Sequence, residues 1–309
     1  MTVIIAFLAN ILVAIAKTVA AVITSSASMV AEAAHSWADA GNEVFLLIAD
    51  RHSARPKDER HPLGYGRSAF VWSLIAAFGI FTAGAIVSIM HGIQELGAAE
   101  PVEDPLIAYI VLGVAFVLEG ASFIQAFTKS RALARKRGSS TWDFVLETSD
   151  TTLRAVFFED GAALIGLVIA GGSIVVHQIT GDAVWDAVGS ILVGILLAIV
   201  AIMLIRRNVT FLVGTTVAPQ VRARAGLALL ASPEIERVTY LHLEFVGPNR
   251  LFVVAEVDLA GDAREHDVAA RLRDLERSLE NQEIVETAVL SLSVADEPSL
   301  EFDAGRGIR

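Results

Sequence analysis

Six apolar runs, each long enough to cross a bilayer as a helix, fill the first two thirds of this chain. They lie near residues 2–24, 27–49, 68–92, 105–128, 153–176 and 183–205. A span needs roughly 20 apolar residues, so the pattern predicts a polytopic α-helical membrane protein. Its 54% hydrophobic and 19% charged residues exclude disorder. Beyond about residue 209 the continuous runs stop and charge becomes frequent. The chain therefore divides into a membrane part, 1–208, and a soluble part, 209–309. The first run has no basic flank and no small-residue cleavage motif, so it reads as a retained span rather than a signal peptide.

The placement of Lys and Arg sets the orientation. Arg51, Arg55, Lys57, Arg60 and Arg67 follow the second run. Lys129, Arg131, Arg135, Lys136 and Arg137 follow the fourth, and Arg206 and Arg207 follow the sixth. The 1–2 turn (24–28), the 3–4 loop (91–105) and the 5–6 turn (177–183) contain neither residue. That alternation predicts six transmembrane helices with both termini cytoplasmic. With no targeting peptide in view, an inner (plasma) membrane of a bacterial cell is the simplest location.

The tail carries 17 Asp and Glu against 10 Arg and no Lys. This acidic balance argues against a nucleic-acid partner. Pro219 can open a helix through 221–232. Residues 236–245 alternate like a strand, a VGPN turn follows, and 250–259 form a second strand. A helix over 264–280 places Val268, Leu272, Leu275 and Leu279 on one face, and 284–294 make a last strand. The order α-β-β-α-β predicts a small cytosolic α+β layer, ferredoxin-like in class. At this size it gains from a partner surface.

Ionisable residues inside the apolar runs carry the chemistry, because burying them in lipid is costly unless they function. His35 and Asp39 are four residues apart, so they share one helix face about 6 Å apart. An imidazole and a carboxylate aimed at one point can share a divalent metal ion. A second acidic pair, Glu159-Asp160, interrupts the fifth run. Two such helices facing each other would build a metal site at membrane depth. With no cysteine in the chain, its ligands must be nitrogen and oxygen. Asn42, three residues past Asp39, is either a further ligand or a helix–helix hydrogen-bond partner. Glu119 in the fourth run is either a proton relay or an interhelical partner for Lys17 or a serine. Lys17 itself snorkels or pairs with an acid. Asp150 and Arg154 suit an interfacial ion pair. His52 and His61, with Asp58 and Glu59, form either a metal-acquisition loop or a solvated one. His91 and His177 sit at span ends.

Together these features resemble the cation diffusion facilitator family of divalent-metal/proton exchangers, over essentially the whole chain. AEAAHSWADAGNEVFLLIA is similar to the metal-site helix of that family and places His35 and Asp39 on its two ligand positions. His61, Pro62, Gly64, Tyr65, Gly66 and Arg67 resemble its His-Pro-x-Gly-Tyr-Gly-Arg approach to span three. In span five Asp160 matches the second ligand position, whereas the first holds Val156 and the acidic neighbour is Glu159. This Glu-Asp version resembles the zinc transporter 9-like branch. The resemblance leaves the fourth ligand to Glu159, to Asn42 or to water, and leaves Glu159 also as a proton relay. His242 and His266 match positions that bind metal in the soluble domain of the family, but the last strand offers no histidine, so a complete binuclear site is not expected there.

The resemblance implies a secondary transporter, not an enzyme, that exports a divalent transition metal in exchange for protons. The transported ion would be Zn²⁺ first, with Fe²⁺, Mn²⁺, Co²⁺ and Ni²⁺ as alternatives. Membrane lipid and a second copy of the chain, in a homodimer joined by the soluble domain, are the implied partners. A non-transporting sensor or scaffold of the same fold is the competing reading. No His-Glu-x-x-His is present, which counts against an intramembrane metalloprotease.

Overall fold

The computed structural model describes residues 2–97, 105–303 and 307–308; the 98–104 part of the 3–4 loop lies outside them. The chain forms two compact units, 1–50 with 71–209 and 51–70 with 210–309.

The first unit is helical. Helices α1 (Thr2–Thr24) and α2 (Ala27–Ser53) are followed by α3 (Ser68–Ala76), a π-helical turn at Ala77–Phe81, and α4 (Thr82–Glu95). Helices α5 (Pro105–Arg137), α6 (Thr141–Glu147), α7 (Thr151–Thr180) and α8 (Val184–Val213) complete it. Among the described residues four segments are long and apolar enough to cross a membrane: Ser68–Glu95, Pro105–Arg137, Thr151–Thr180 and Val184–Val213. The expected count of six is thus met at four by that measure. The apolar part of α1 is shorter, at Asn10–Thr24, and α2 is diluted by Glu32, His35, Asp39, Glu43 and Asp50.

Several helices run further than the apolar pattern predicts, α5 and α8 the furthest. Helix α5 continues to Arg137 and α8 to Val213, because basic and mixed residues sustain a helix past the end of an apolar run. The short α6 is a second difference. Ser140 caps it by accepting from the Asp143 amide at 3.1 Å and donating to the Asp143 carboxylate at 2.7 Å. Its Phe144 and Val145 are buried against Phe157, Leu153 and Ala134.

Lipid tails give helices no hydrophobic reason to associate, so close fit does the work. In α4, Gly84, Ser88 and Gly92 recur every four residues on a buried face. A Cβ on Gly92 would lie 2.8 Å from the Ala187 carbonyl of α8, and one on Gly194 would lie 3.0 Å from the Ala85 carbonyl. Ser190 donates to the Ser88 carbonyl at 2.8 Å across the same seam. Around Asp150 and Arg154, the pair the sequence suggested, the structure adds further partners. Asp150 caps α7 by accepting from the Leu153 amide at 2.9 Å. The buried Arg154 donates to Asn208 at 2.6 Å and to the Thr148 carbonyl at 2.8 Å.

The second unit holds α9 (Pro219–Leu230), β1 (Ile235–Gly247), β2 (Arg250–Leu259), α10 (Glu265–Glu280) and β3 (Val285–Leu292). The sheet order is β1-β2-β3, antiparallel then parallel. Period-2 alternation sends Leu241, Leu243, Val253, Ala255, Val257 and Leu290 inward, against Leu229 of α9 and Leu272, Leu275 and Leu279 of α10. The edge strand β3 is guarded, because Glu276 accepts from the Leu290 amide at 2.9 Å and Glu280 from the Ala288 amide at 3.2 Å. A two-stranded ribbon, β4 (Phe302–Asp303) with β5 (Gly307–Ile308), was not expected from the sequence.

The 51–70 connection is part of this unit. Gly66 lies against the β1–β2 turn so closely that a Cβ there would sit 2.5 Å from the Val246 carbonyl. Arg67 donates to Glu244 at 2.5 Å and Lys57 to the Glu286 carbonyl at 3.3 Å. Asp58 accepts from the Tyr65 hydroxyl at 2.7 Å and from the His61 amide at 2.7 Å. The Tyr65 bond, ahead of the others, holds the Asp58 carboxyl below its ordinary value and pushes the Tyr65 phenol up. The HPLGYGR run is therefore a fastening segment on the sheet.

Candidate metal site

Helix α2 is apolar except along one stripe. Ser28, Glu32, His35, Asp39, Asn42 and Glu43 recur at three- and four-residue intervals, which is one face of a 3.6-residue helix. Helix α7 runs against that face with polar or small residues seven apart, Glu159, Gly166 and Ser173. Asn42 donates to Glu159 at 2.5 Å, and Ser28 and Ser173 bond at 2.7 Å. Between those levels a Cβ on Gly166 would lie 2.5 Å from Glu32 Oε1. The three contacts fix an antiparallel register and put Gly161, Ala162 and Ala163 of α7 at the level of His35 and Asp39. Of these, Ala162 and Ala163 are buried, and Gly161 faces Phe123 of α5.

His35 is 1% exposed, and neither of its ring nitrogens has a hydrogen-bond partner; buried Asp39 Oδ1 also has none. Orphaned polar atoms in a protein interior are costly and call for an explanation. His35 Nδ1 and Asp39 Oδ1 are 3.6 Å apart. Two metal–ligand bonds of about 2.1 Å at a tetrahedral angle would place the donors about 3.4 Å apart. The pair is therefore spaced to hold one divalent ion between two of its atoms.

The two acids of α7 point apart, as adjacent residues on a helix do. Glu159 turns to α2 and is buried, held by Asn42. Asp160 turns to α5 and accepts from Ser122 at 2.6 Å. Both carboxylates thus stand at the seam but are engaged by neutral donors. Among the described residues, no three His, Asp or Glu side chains converge tightly enough to grip an ion. His35 and Asp39 are brought together; Glu159 reaches their stripe through Asn42; Asp160 stands one helix face away.

Lys17 pairs with Glu32, not with Glu119: Nζ to Oε2 is 2.9 Å with both side chains fully buried. Glu119 lies on α5, half-buried, one turn before Ser122. Among the residues overlooked by sequence reasoning, Glu32 was legible, since it continues the stripe one turn before His35. Asp186 was not. It lies at the start of α8 and accepts from Ser26 at 3.0 Å, while its carbonyl accepts from Ser28 at 2.8 Å. Asn10 of α1 donates to Glu43 at 2.9 Å, adding another contact to the stripe. In the second unit His242 is half-exposed and 3.5 Å from Glu244, and His266 is exposed on α10. His177 is buried near the end of α7.

Residues 3–213 match the model of the cation efflux transmembrane domain. Metal tolerance protein C4 of Arabidopsis thaliana is 37% identical over 238 residues, covering 77% of this chain and 52% of that protein. The proton-coupled zinc antiporter SLC30A9, mitochondrial, of Homo sapiens is 34% identical over 245 residues, covering 79% of this chain and 43% of that protein. An uncharacterised transporter of Methanocaldococcus jannaschii is 23% identical over 296 residues, covering 95% of this chain and 97% of that protein. The chain spans about half the length of the first two relatives.

Proposed function

The chain belongs to the cation efflux, or cation diffusion facilitator, family, in its SLC30A9-like branch, and from that premise we propose that it exports a divalent transition metal from the cytosol in exchange for protons. Zn²⁺ is the first candidate ion, because an imidazole with carboxylates and no thiolate suits it. Fe²⁺, Mn²⁺, Co²⁺ and Ni²⁺ are separated from it by experiment. The observation that carries this reading is the buried, unpartnered His35–Asp39 pair at ligand spacing. The names of the relatives, a zinc antiporter and a metal tolerance protein, agree with it.

In this reading His35 and Asp39 take two coordination positions. Glu159 and Asp160 swing in from α7 when the ion arrives, leaving Asn42 and Ser122. The cost of stripping water from the ion is offset by nitrogen and carboxylate ligands. Each ligand must be deprotonated to bind, so proton and metal compete for the same atoms. Protons arriving from the far side eject the ion. Glu119 supplies a relay step on α5. α1 and α2 join the four strongly apolar segments as crossings, giving six with both termini cytoplasmic. Rocking of the helices exposes the site to each side in turn. The soluble unit, ferredoxin-like in its α-β-β-α-β order, joins two copies, and an inner or plasma membrane houses them.

The test is metal uptake into proteoliposomes under a pH gradient, wild type against Asp160→Ala, across the five ions. Gradient-driven flux that is lost in the variant supports an antiporter and names its ion. Folded protein that moves none of the ions overturns the reading and favours a sensor or scaffold.

A further inference from the structure

The Asp39 side chain is 15% exposed, yet Ser26, Ser28 and Glu32, which lead up to His35 from the α1–α2 turn, are all fully buried. Lys17 and Glu32, one turn from His35, are each 0% exposed. They join α1 to α2, and Gly166 of α7 closes over Glu32 from the third side, with space for a hydrogen but not for a methyl group. One turn further out, Ser26 and Ser28 bind Asp186 of α8, and Ser28 binds Ser173 of α7. Beyond His35 in the other direction the stripe loosens. Asp39, Glu43 and Asp160 are only partly buried, and the bond from Asn10 to Glu43 is a part-buried one. The seam is shut at one end and more open at the other.

We propose that the Lys17–Glu32 ion pair, covered by Gly166, is a latch that seals His35 from the side of the α1–α2 turn and must part for the site to face that side. The inference rests on the transport reading above. A buried ion pair is weak evidence for stability, since desolvation consumes most of its Coulomb energy. It is well suited to a switch, because breaking it frees an ammonium and a carboxylate that each need a new partner. While closed, it also places a cation beside the path of a divalent ion. Glu32 and Lys17 hold no metal in this scheme. They position α1, α2 and α7 around a ligand pair that others provide.

The chain has no cysteine, so one introduced thiol reports on one place. Ser36→Cys puts that thiol one turn past Glu32, at a residue that is buried and whose hydroxyl has no partner. Full-length protein in sealed, oriented, metal-free vesicles is treated with a membrane-impermeant methanethiosulfonate from each side. With Lys17 and Glu32 intact, labelling from the α1–α2-turn side should be slow. Glu32→Gln should raise that rate about tenfold or more, while the exchange Lys17→Glu with Glu32→Lys restores the slow rate. Gly166→Ala keeps every charge but crowds Glu32 Oε1, so the carboxylate must shift, and it should loosen the bond from Lys17 to Oε2 and open the same side. It serves as the second variant where a charge change fails to fold. Turn-side labelling that stays slow in both Glu32→Gln and Gly166→Ala overturns the latch. Because the readout needs no metal, a protein that labels as expected but moves no ion sinks the transport reading alone. One that transports Zn²⁺ with the reporter shut in every variant sinks the latch alone.

Discussion

The two units solve the problem of burying a polypeptide in opposite ways. The sheet unit keeps its polar contacts at the rim and fills its centre with Leu241, Leu243, Val253, Val257 and Leu290. The helical unit presents apolar side chains outward, including Leu12, Val117, Ile124, Ile165 and Ile199, and hides Lys17, Glu32, His35, Asn42, Arg154 and Glu159. In one, burial of apolar area holds the fold together. In the other, lipid removes that driving force, and small-residue contacts and buried polar pairs take its place. The comparison teaches that an orphaned polar atom means different things in the two units. At the rim of the sheet water satisfies it, whereas a buried one on α2 must find its partner on a neighbouring helix or go without.

The largest expected effect breaks the comparison at that point. Asp39→Ala should lower metal affinity by about a hundredfold or more, since a ligand counts for at least as much as its outer partners. Isothermal titration of detergent-solubilised protein with Zn²⁺ measures it. The same variant should melt no earlier than wild type, because it removes a buried group that has an unpartnered oxygen. A clear loss of melting temperature would assign Asp39 a structural role instead. Next, Leu241→Ala should cost about 2–5 kcal/mol. It should appear as accelerated hydrogen exchange in β1 and β2 with metal affinity unchanged. If that exchange stayed slow, the sheet core would not be what holds the second unit.

Two smaller effects sharpen the contrast. Asn42→Ala removes the donor that Glu159 must leave to reach the ion, so metal affinity should rise roughly two- to tenfold, the worth of one hydrogen bond at about 0.5–1.5 kcal/mol. A weaker site in this variant would mean that Asn42 orients Glu159 rather than restraining it. Arg67→Ala removes a pair whose side chains are 44% and 25% exposed. It should cost under about 1 kcal/mol and less still in high salt. A salt-independent loss larger than that would put Arg67 in a class with the buried pairs of the seam.

Much of this was legible in the sequence for physical reasons. Lipid demands long apolar runs, so the helices were visible as lengths. The β1–β2 hairpin was visible because period-2 alternation and the GPN turn agree. His35 and Asp39 were visible because charge inside an apolar run is costly. The outward limits were less so. Nothing in the hydropathy says that α5 continues to Arg137, although the Ser140-x-x-Asp143 cap of α6 could have been read as a helix start. The two-residue strands β4 and β5 are too short to show a period. The partner of Lys17 depended on which of two acids the packing of α1 brings near, and spacing within one helix carries no information about the next.

The chain passes between its two units three times, after Asp50, after Phe70 and after Val209. One of those crossings falls inside α2 itself, the helix that carries His35 and Asp39 and runs on to Ser53. The stretch that follows it is bolted to the sheet through Gly66 and Arg67. The polar stripe and the strand edge are thus neighbours along the chain, joined by a continuing helix rather than by a long linker.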